Sequence, residues 1–196
     1  MFPIKQNLNK PGLEKAVRGG YALSMSKLAS LLFLMTALSL GLPGPAHAQQ
    51  SEPRALGSFT DWLAYSWIEN GNKVCYMLSR PLKSTPQNVK RGDIYIMIAY
   101  RPQSSSKEEV SHVAGYPFKD QSTVEAMIGN AKFLLATNGE VAWVPEGESD
   151  AKLINAMRGG SSMVVRGTSS RGTLTVDTYS LQGFTAAHQQ IRKSCT

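Results

Sequence analysis

Residues 59–81 read FTDWLAYSWIENGNKVCYMLSRP, two apolar-rich runs on either side of Asn70-Gly71. In the first run Phe59, Asp61, Leu63 and Tyr65 alternate with Trp62, Ala64 and Ser66, the period of two with which a β-strand presents one face to a core. Asn-Gly tolerates the positive φ angles of a two-residue hairpin turn, so residues 59–68 and 73–81 are expected to pair as antiparallel strands.

The same pattern continues along the chain. DIYIMIAYRP (93–102) is rich in Ile and Tyr and stops at Pro102, which cannot donate to a central ladder, so it reads as a buried strand. VSHVAGYPF (110–118) and TVEAMIG (123–129) read as shorter strands. KFLLATNGEVAWV (132–144) places a second Asn-Gly between apolar runs and predicts a second hairpin. SSMVVRGTSSRGTLTVDTYSL (161–181) predicts a third around Gly167 to Gly172. Its second strand alternates Thr173, Thr175 and Asp177 against Leu174, Val176 and Thr178, so that one face meets water.

Two helices interrupt the strands. In SDAKLINAMRGG (149–160) Ser149 suits the N-cap, Asp150 the first turn and Arg158 the last, and Gly159-Gly160 ends it. At the end of the chain Phe184, Ala187, Ile191 and Cys195 recur at helical spacing and form the only face expected to hold that helix down. Strands joined by short turns, with two short helices as late plugs, predict a mainly β fold: an antiparallel β-sandwich or a partly closed barrel.

Residues 28–40, LASLLFLMTALSL, are apolar without a charge, too short for a normal membrane span, and followed by Ala46-His47-Ala48. Basic start, apolar middle and small-residue end predict a signal peptide over 1–48 with cleavage between Ala48 and Gln49, and Met25-Ser26-Lys27 makes a compact alternative start. Residues 49–57 then read as a short linker and 58–196 as a single domain. Of 21 Lys and Arg, five precede residue 49, and of 14 acids one does, leaving 16 bases against 13 acids, a net +3 in place of +7. The remaining charges are interspersed, without the basic stripe of a nucleic-acid binder, so no nucleic-acid partner and no membrane span after signal removal are expected.

Cys75 and Cys195 are the only cysteines, and an exported chain with an even count most simply pairs them. Two free thiols, a metal pair and a redox couple compete with that reading. The chain has no CxxC spacing, and two Cys without neighbouring His make a poor zinc site.

Catalytic patterns are sparse. His47 leaves with the signal, so His112 and His188 remain, and each reads as a half-buried structural or surface side chain. The Ser-rich stretches GGSSM and GTSSRG are not the G-x-S-x-G elbow and read as turns. Glu108-Glu109 and Glu146/Glu148 read as solvated loop charge. Catalytic, cofactor-binding and metal residues are therefore assigned as none. The aromatics Trp62, Trp67, Trp143, Tyr95, Tyr100 and Tyr116 read mainly as core, with a ligand patch as the alternative.

FTDWLAYSWIENGNKVCYMLSRP, GYPFKDQSTVEAMIG, FLLATNGEVAWV and above all MVVRGTSSRGTLTVDTYSLQGFTAAHQQIRKSC resemble the invasion-associated locus B family of small secreted proteins of Gram-negative alphaproteobacteria. The resemblance spans about residues 58–195. It implies a periplasmic or surface-exported β domain, with some members linked to entry into host cells, and it carries no catalytic residues. Some relatives place a further cysteine where this chain has Tyr65 and Ser66, which leaves a single bridge here. The expected function is binding to an unknown envelope or host-surface partner. A secreted hydrolase is the alternative, and it would need His112 or His188 within hydrogen-bond reach of a Ser or acid in a pocket.

Overall fold

Asn70-Gly71 turns the chain between β2 (Trp62–Glu69) and β3 (Asn72–Ser79), which pair antiparallel with Ala64 opposite Met77 and Ser66 opposite Cys75. The computed structural model describes residues 52–146 and 148–196; the expected signal segment, the alternative start at Met25 and the expected cleavage between Ala48 and Gln49 lie outside them. The strand expected from residue 59 onward is in fact two. Thr60, at φ 52°, reverses the chain between β1 (Arg54–Phe59) and β2. Residues 54–57, read from sequence as linker, thus form most of an exposed edge strand.

The remaining strands are β4 (Lys83–Thr85), β5 (Tyr95–Tyr100), β6 (Glu108–Val113), β7 (Thr123–Ile128), β8 (Ala131–Asn138), β9 (Val141–Trp143), β10 (Ser162–Thr168) and β11 (Leu174–Ser180). They form one antiparallel sheet in the order β1-β2-β3-β5-β6-β9-β8-β7-β10-β11-β4. All three sequence-predicted hairpins occur, as β2–β3, β8–β9 and β10–β11. The sheet does not close into a barrel, because β1 and β4 lie at its two ends. Instead it folds back on itself as a sandwich. The indole N–H of Trp62 on β2 donates to Ser180 O on β11 at 3.1 Å, and the rings of His112 on β6 and Tyr179 on β11 lie 5.9 Å apart.

The core follows the strand alternation. Trp62 and Ala64, Cys75 and Met77, Ile96 and Ile98 are buried on one face of three successive strands. Both helices lie on that face. Helix α1 (Asp150–Gly159) buries Leu153, Ile154 and Met157. Ser149 stands at its N-cap position without a side-chain capping bond; the Asp150 carboxylate instead accepts from the Val110 N–H at 2.8 Å and ties the helix to β6. Helix α2 (Phe184–Ser194) buries Phe184, Ala187, His188 and Ile191. Phe184 meets Trp62 edge to face at 5.0 Å. Burying Phe184 and Ile191 contributes about 1.5–3 kcal/mol each. A disulfide joins Cys75 on β3 to Cys195 just past α2, with Cα atoms 5.9 Å apart across 120 residues. Among the described residues no helix is long and apolar enough to cross a membrane.

Candidate functional site

Alternation along β11 puts Thr175, Asp177 and Tyr179 inside, while Leu174 is exposed and Val176 and Thr178 are half-buried. The wet face of this strand is therefore its more apolar one. A carboxylate tolerates that inner position because Arg91 reaches it from the loop before β5, with Nη1 and Nη2 donating to Oδ1 and Oδ2 at 2.8 and 2.7 Å. The Arg91 Nε–H donates to Ala114 O at 2.9 Å, and the guanidinium lies 4.9 Å from the centre of the Tyr116 ring. The Tyr116 hydroxyl in turn sits 2.6 Å from Thr175 Oγ1. A two-point pair with its remaining donors partly used is the arrangement that makes a buried charge tolerable.

His112 is 1% exposed and stands beside this pair, its Nε2 3.7 Å from Asp177 Oδ2, beyond hydrogen-bond range. Neither of its ring nitrogens has a hydrogen-bond partner, and neither does the hydroxyl of Tyr179. Burial lowers the His112 pKa, more than nearby Asp177 raises it, and keeps the imidazole neutral. Burial also pushes the Tyr179 hydroxyl well above its ordinary value.

The second histidine occupies a saturated position. His188 is fully buried, stacked on Phe184, with Nδ1 2.8 Å from Arg158 Nη2 and Nε2 2.9 Å from Glu108 Oε1. A guanidinium can only donate, so Nδ1 accepts, and Nε2 carries the proton that it donates to Glu108. Arg192 reaches the same carboxylate at 3.2 Å. The hydrogen bond from His188 is the main reason the Glu108 pKa lies below its ordinary value.

Both histidines are thus buried rather than half-buried or superficial. Glu108 and Glu109 open strand β6 rather than lying in a loop, and Glu109 pairs with Arg101 at 3.6 Å. Paired cations make these acids structural. Glu146 and Glu148 are exposed, as read from sequence. GTSSRG is the β10–β11 turn, in which the Ser169 N–H donates to Thr173 O and the Thr173 N–H to Ser169 Oγ. GGSSM leads into β10, with Ser161 and Ser162 exposed.

Of the aromatics, Trp62, Tyr100 and Tyr116 are buried. Trp67, Tyr95 and Trp143 are half-buried, and strand alternation puts them on the sheet face away from the helices. There Tyr65 stacks on Tyr76 at 5.3 Å and Trp67 meets Tyr76 edge-on at 4.9 Å. Burial, the larger effect, and neighbouring Tyr65 push the Tyr76 pKa up to about 12.

In a nucleophile–base pair one ring nitrogen faces a hydroxyl and the other a carboxylate. His188 has its carboxylate, but its second nitrogen faces Arg158, and neither histidine is hydrogen-bonded to a serine. Among the described residues no three His, Cys, Asp or Glu side chains gather as a metal site would require. Arg91, Asp177 and Arg158 were not singled out by sequence for these networks. The one signal was parity: Asp177 shares its strand face with Tyr179, an aromatic that belongs to the core.

No curated protein matches this sequence. Among solved structures, the crystal structure of invasion associated protein b from Bartonella henselae is similar in fold, with a TM-score of 0.53 and 16% sequence identity over 70% of this chain and 94% of that one. The family model described as Invasion associated locus B (IalB) protein matches residues 62–192, from the first core tryptophan to the last turn of α2. The chain belongs to the invasion associated locus B family.

Proposed function

We propose that the chain is an exported envelope protein, periplasmic or displayed on the outer surface of a Gram-negative cell, that binds an envelope or host-surface partner without turning it over. The observation that carries this reading is His188. The side chain best suited to proton transfer is spent on Arg158 and Glu108, where it holds α2 to α1 and β6. His112 is desolvated and packed between Phe118 and Tyr179. Family membership supports a role in association with host cells, and the rigid sandwich supplies loops and strand faces as contact surfaces.

The test combines two measurements. Crosslinking of the chain in intact cells, followed by mass spectrometry, should give a small set of adducts that excess uncrosslinked protein competes away. The purified chain should leave ester, amide and glycoside substrates intact. Hydrolysis that disappears in a folded His188→Gln variant would overturn the binding reading in favour of a hydrolase.

A further inference from the structure

A cleft of about 330 Å³ opens between the loop carrying Lys90 and Arg91 and the β10–β11 turn carrying Ser169 and Arg171, with Tyr116 and Thr175 also lining it. That volume suits a small polar molecule. No Asp or Glu lines it. The charge of Arg91 is met by Asp177, but Lys90 and Arg171 are exposed and form no ion pair among the described residues, so the cleft presents positive charge beside hydroxyl groups.

The cleft is held in shape from three sides. The loop crosses Gly115 so closely that the Gly92 N–H donates to Gly115 O at 2.8 Å, and a Cβ on Gly115 would come within 2.7 Å of Gly92 O. Arg91 is fixed by Ala114 O and Asp177, which use three of its N–H groups and leave two. The turn is fixed by two hydrogen bonds, from the Ser169 N–H to Thr173 O and from the Thr173 N–H to Ser169 Oγ, the second of which leaves the Ser169 O–H to donate. Donors held in place before a ligand arrives lose little entropy on binding.

Cations at the rim, hydroxyls on the wall and no carboxylate select for an anion with several oxygen acceptors. We propose that this cleft binds a phosphate monoester carried on a small polar body such as a sugar. The chemistry is that of charge-assisted hydrogen bonds from Lys90, Arg91, Arg171 and the Ser169 hydroxyl to phosphate oxygens, the Tyr116 and Thr175 protons being spent on Thr175 Oγ1 and Gly167 O. The same phosphate monoester is the headgroup of phosphatidic acid, and the experiment separates the two sources. This deepens the binding reading by naming a ligand class. It is tested on the cleft itself, so failure to capture a cellular partner would leave it standing, and absence of phosphate binding would leave the partner reading standing.

Backbone amide NMR of the purified chain should show saturable shifts centred on Lys90, Ser169 and Arg171 on titration with inorganic phosphate and, more tightly, with glucose 6-phosphate. Glucose itself should shift nothing. The double variant Lys90→Gln/Arg171→Gln, which alters two exposed side chains, should weaken glucose 6-phosphate binding at least tenfold, and Lys152→Gln on the exposed side of α1 should leave it unchanged. Co-sedimentation with phosphatidic acid vesicles but not phosphatidylcholine vesicles, lost in the double variant, would identify the source as a lipid headgroup; no sedimentation would identify a soluble ester. Absence of saturable shifts, equal binding of glucose, or equal weakening by Lys152→Gln would overturn the proposal.

Discussion

Arg91 meets Asp177 through two parallel hydrogen bonds of 2.8 and 2.7 Å, with both side chains almost out of solvent, and so clamps the loop before β5 onto β11. Removing one partner strands the other as a buried charge. Asp177→Ala and Arg91→Met are each expected to cost about 3–5 kcal/mol, because desolvation is no longer compensated. The joint replacement Arg91→Met/Asp177→Leu should recover much of that loss. Urea unfolding of the two single variants and the double variant closes the cycle, and additive losses would contradict the pairing.

Acid should destabilise the protein over two pH ranges. Burial is the largest single influence on the Asp177 carboxyl and works to raise its pKa, but contacts with His112, Arg91 and Ser84 outweigh it and bring the value from 3.8 down to about 2. A depressed folded value means that this stabilisation, about 2 kcal/mol, is complete above about pH 4 and is lost as pH falls toward 2. Burial depresses His112 as well, so its contribution is complete above roughly pH 6.5 and declines below that. Unfolding free energy measured from pH 8 to pH 2.5 should therefore begin to slope below about 6.5 and steepen below about 4.

His112→Phe removes the upper range and, because His112 helps to hold the Asp177 carboxyl down, lessens the lower one. The ring packs against Phe118 and Tyr179, and its two nitrogens have no hydrogen-bond partners to lose. Replacing unpartnered polar atoms with apolar ones of similar shape is near neutral or stabilising, so the variant should match or exceed the parent at pH 7.5. It should also lose the slope between pH 6.5 and 4. A loss of more than about 2 kcal/mol at pH 7.5 would show that the nitrogens hold something essential.

Cys195→Ser should lower stability by a few kcal/mol, under a ceiling of about 5 kcal/mol set by the entropy of a loop this long. The sequence suggests that α2, held only by Phe184, Ala187 and Ile191, would fray along its whole length. The structure adds His188, bonded at both ends, and a hydrogen bond from Lys73 Nζ to Ser194 O. Hydrogen exchange in the variant should accordingly quicken in the last turn, residues 191–195, while residues 184–188 stay protected. Alkylation of the non-reduced parent should find no thiol.

How much of this was legible depended on the distance between partners. Asn70-Gly71 and Asn138-Gly139 announce their hairpins because the turn chemistry sits in adjacent residues. The reversal at Thr60-Asp61 stayed hidden because side-chain alternation runs on unbroken through it, and because β1 is an exposed edge with few large apolar residues. The inward Asp177 was visible as a strand position but not as a buried one, since its partner lies 86 residues away. The His188 cluster likewise joins positions 30 and 80 residues apart, and no local spacing encodes it.

Among the described glycines, Gly183 leaves the least room for a side chain. Its φ is 87°, and a Cβ there would sit 1.9 Å from the carbonyl oxygen of Phe59. Gly183→Ala combines left-handed backbone strain with a collision against main chain that cannot rotate away, so it should cost well over 1 kcal/mol and displace the start of α2 from β1. Thermal unfolding compared with Thr185→Ala, an exposed neighbour, measures the difference.

The contact of Trp62 with Phe184 and Ser180, together with the pairing of β4 with β11, fixes an order of assembly. The earliest strands have their inner face covered by the latest helix, and β4 cannot find its ladder until β11 exists. A chain emerging amino end first therefore carries its first hairpins half-dressed, with the indole of Trp62 in water, until nearly every residue is available. Closure of the sandwich thus waits on its last strand and helix, and fragments halted before residue 180 should be recognised by chaperones and proteases as unfinished.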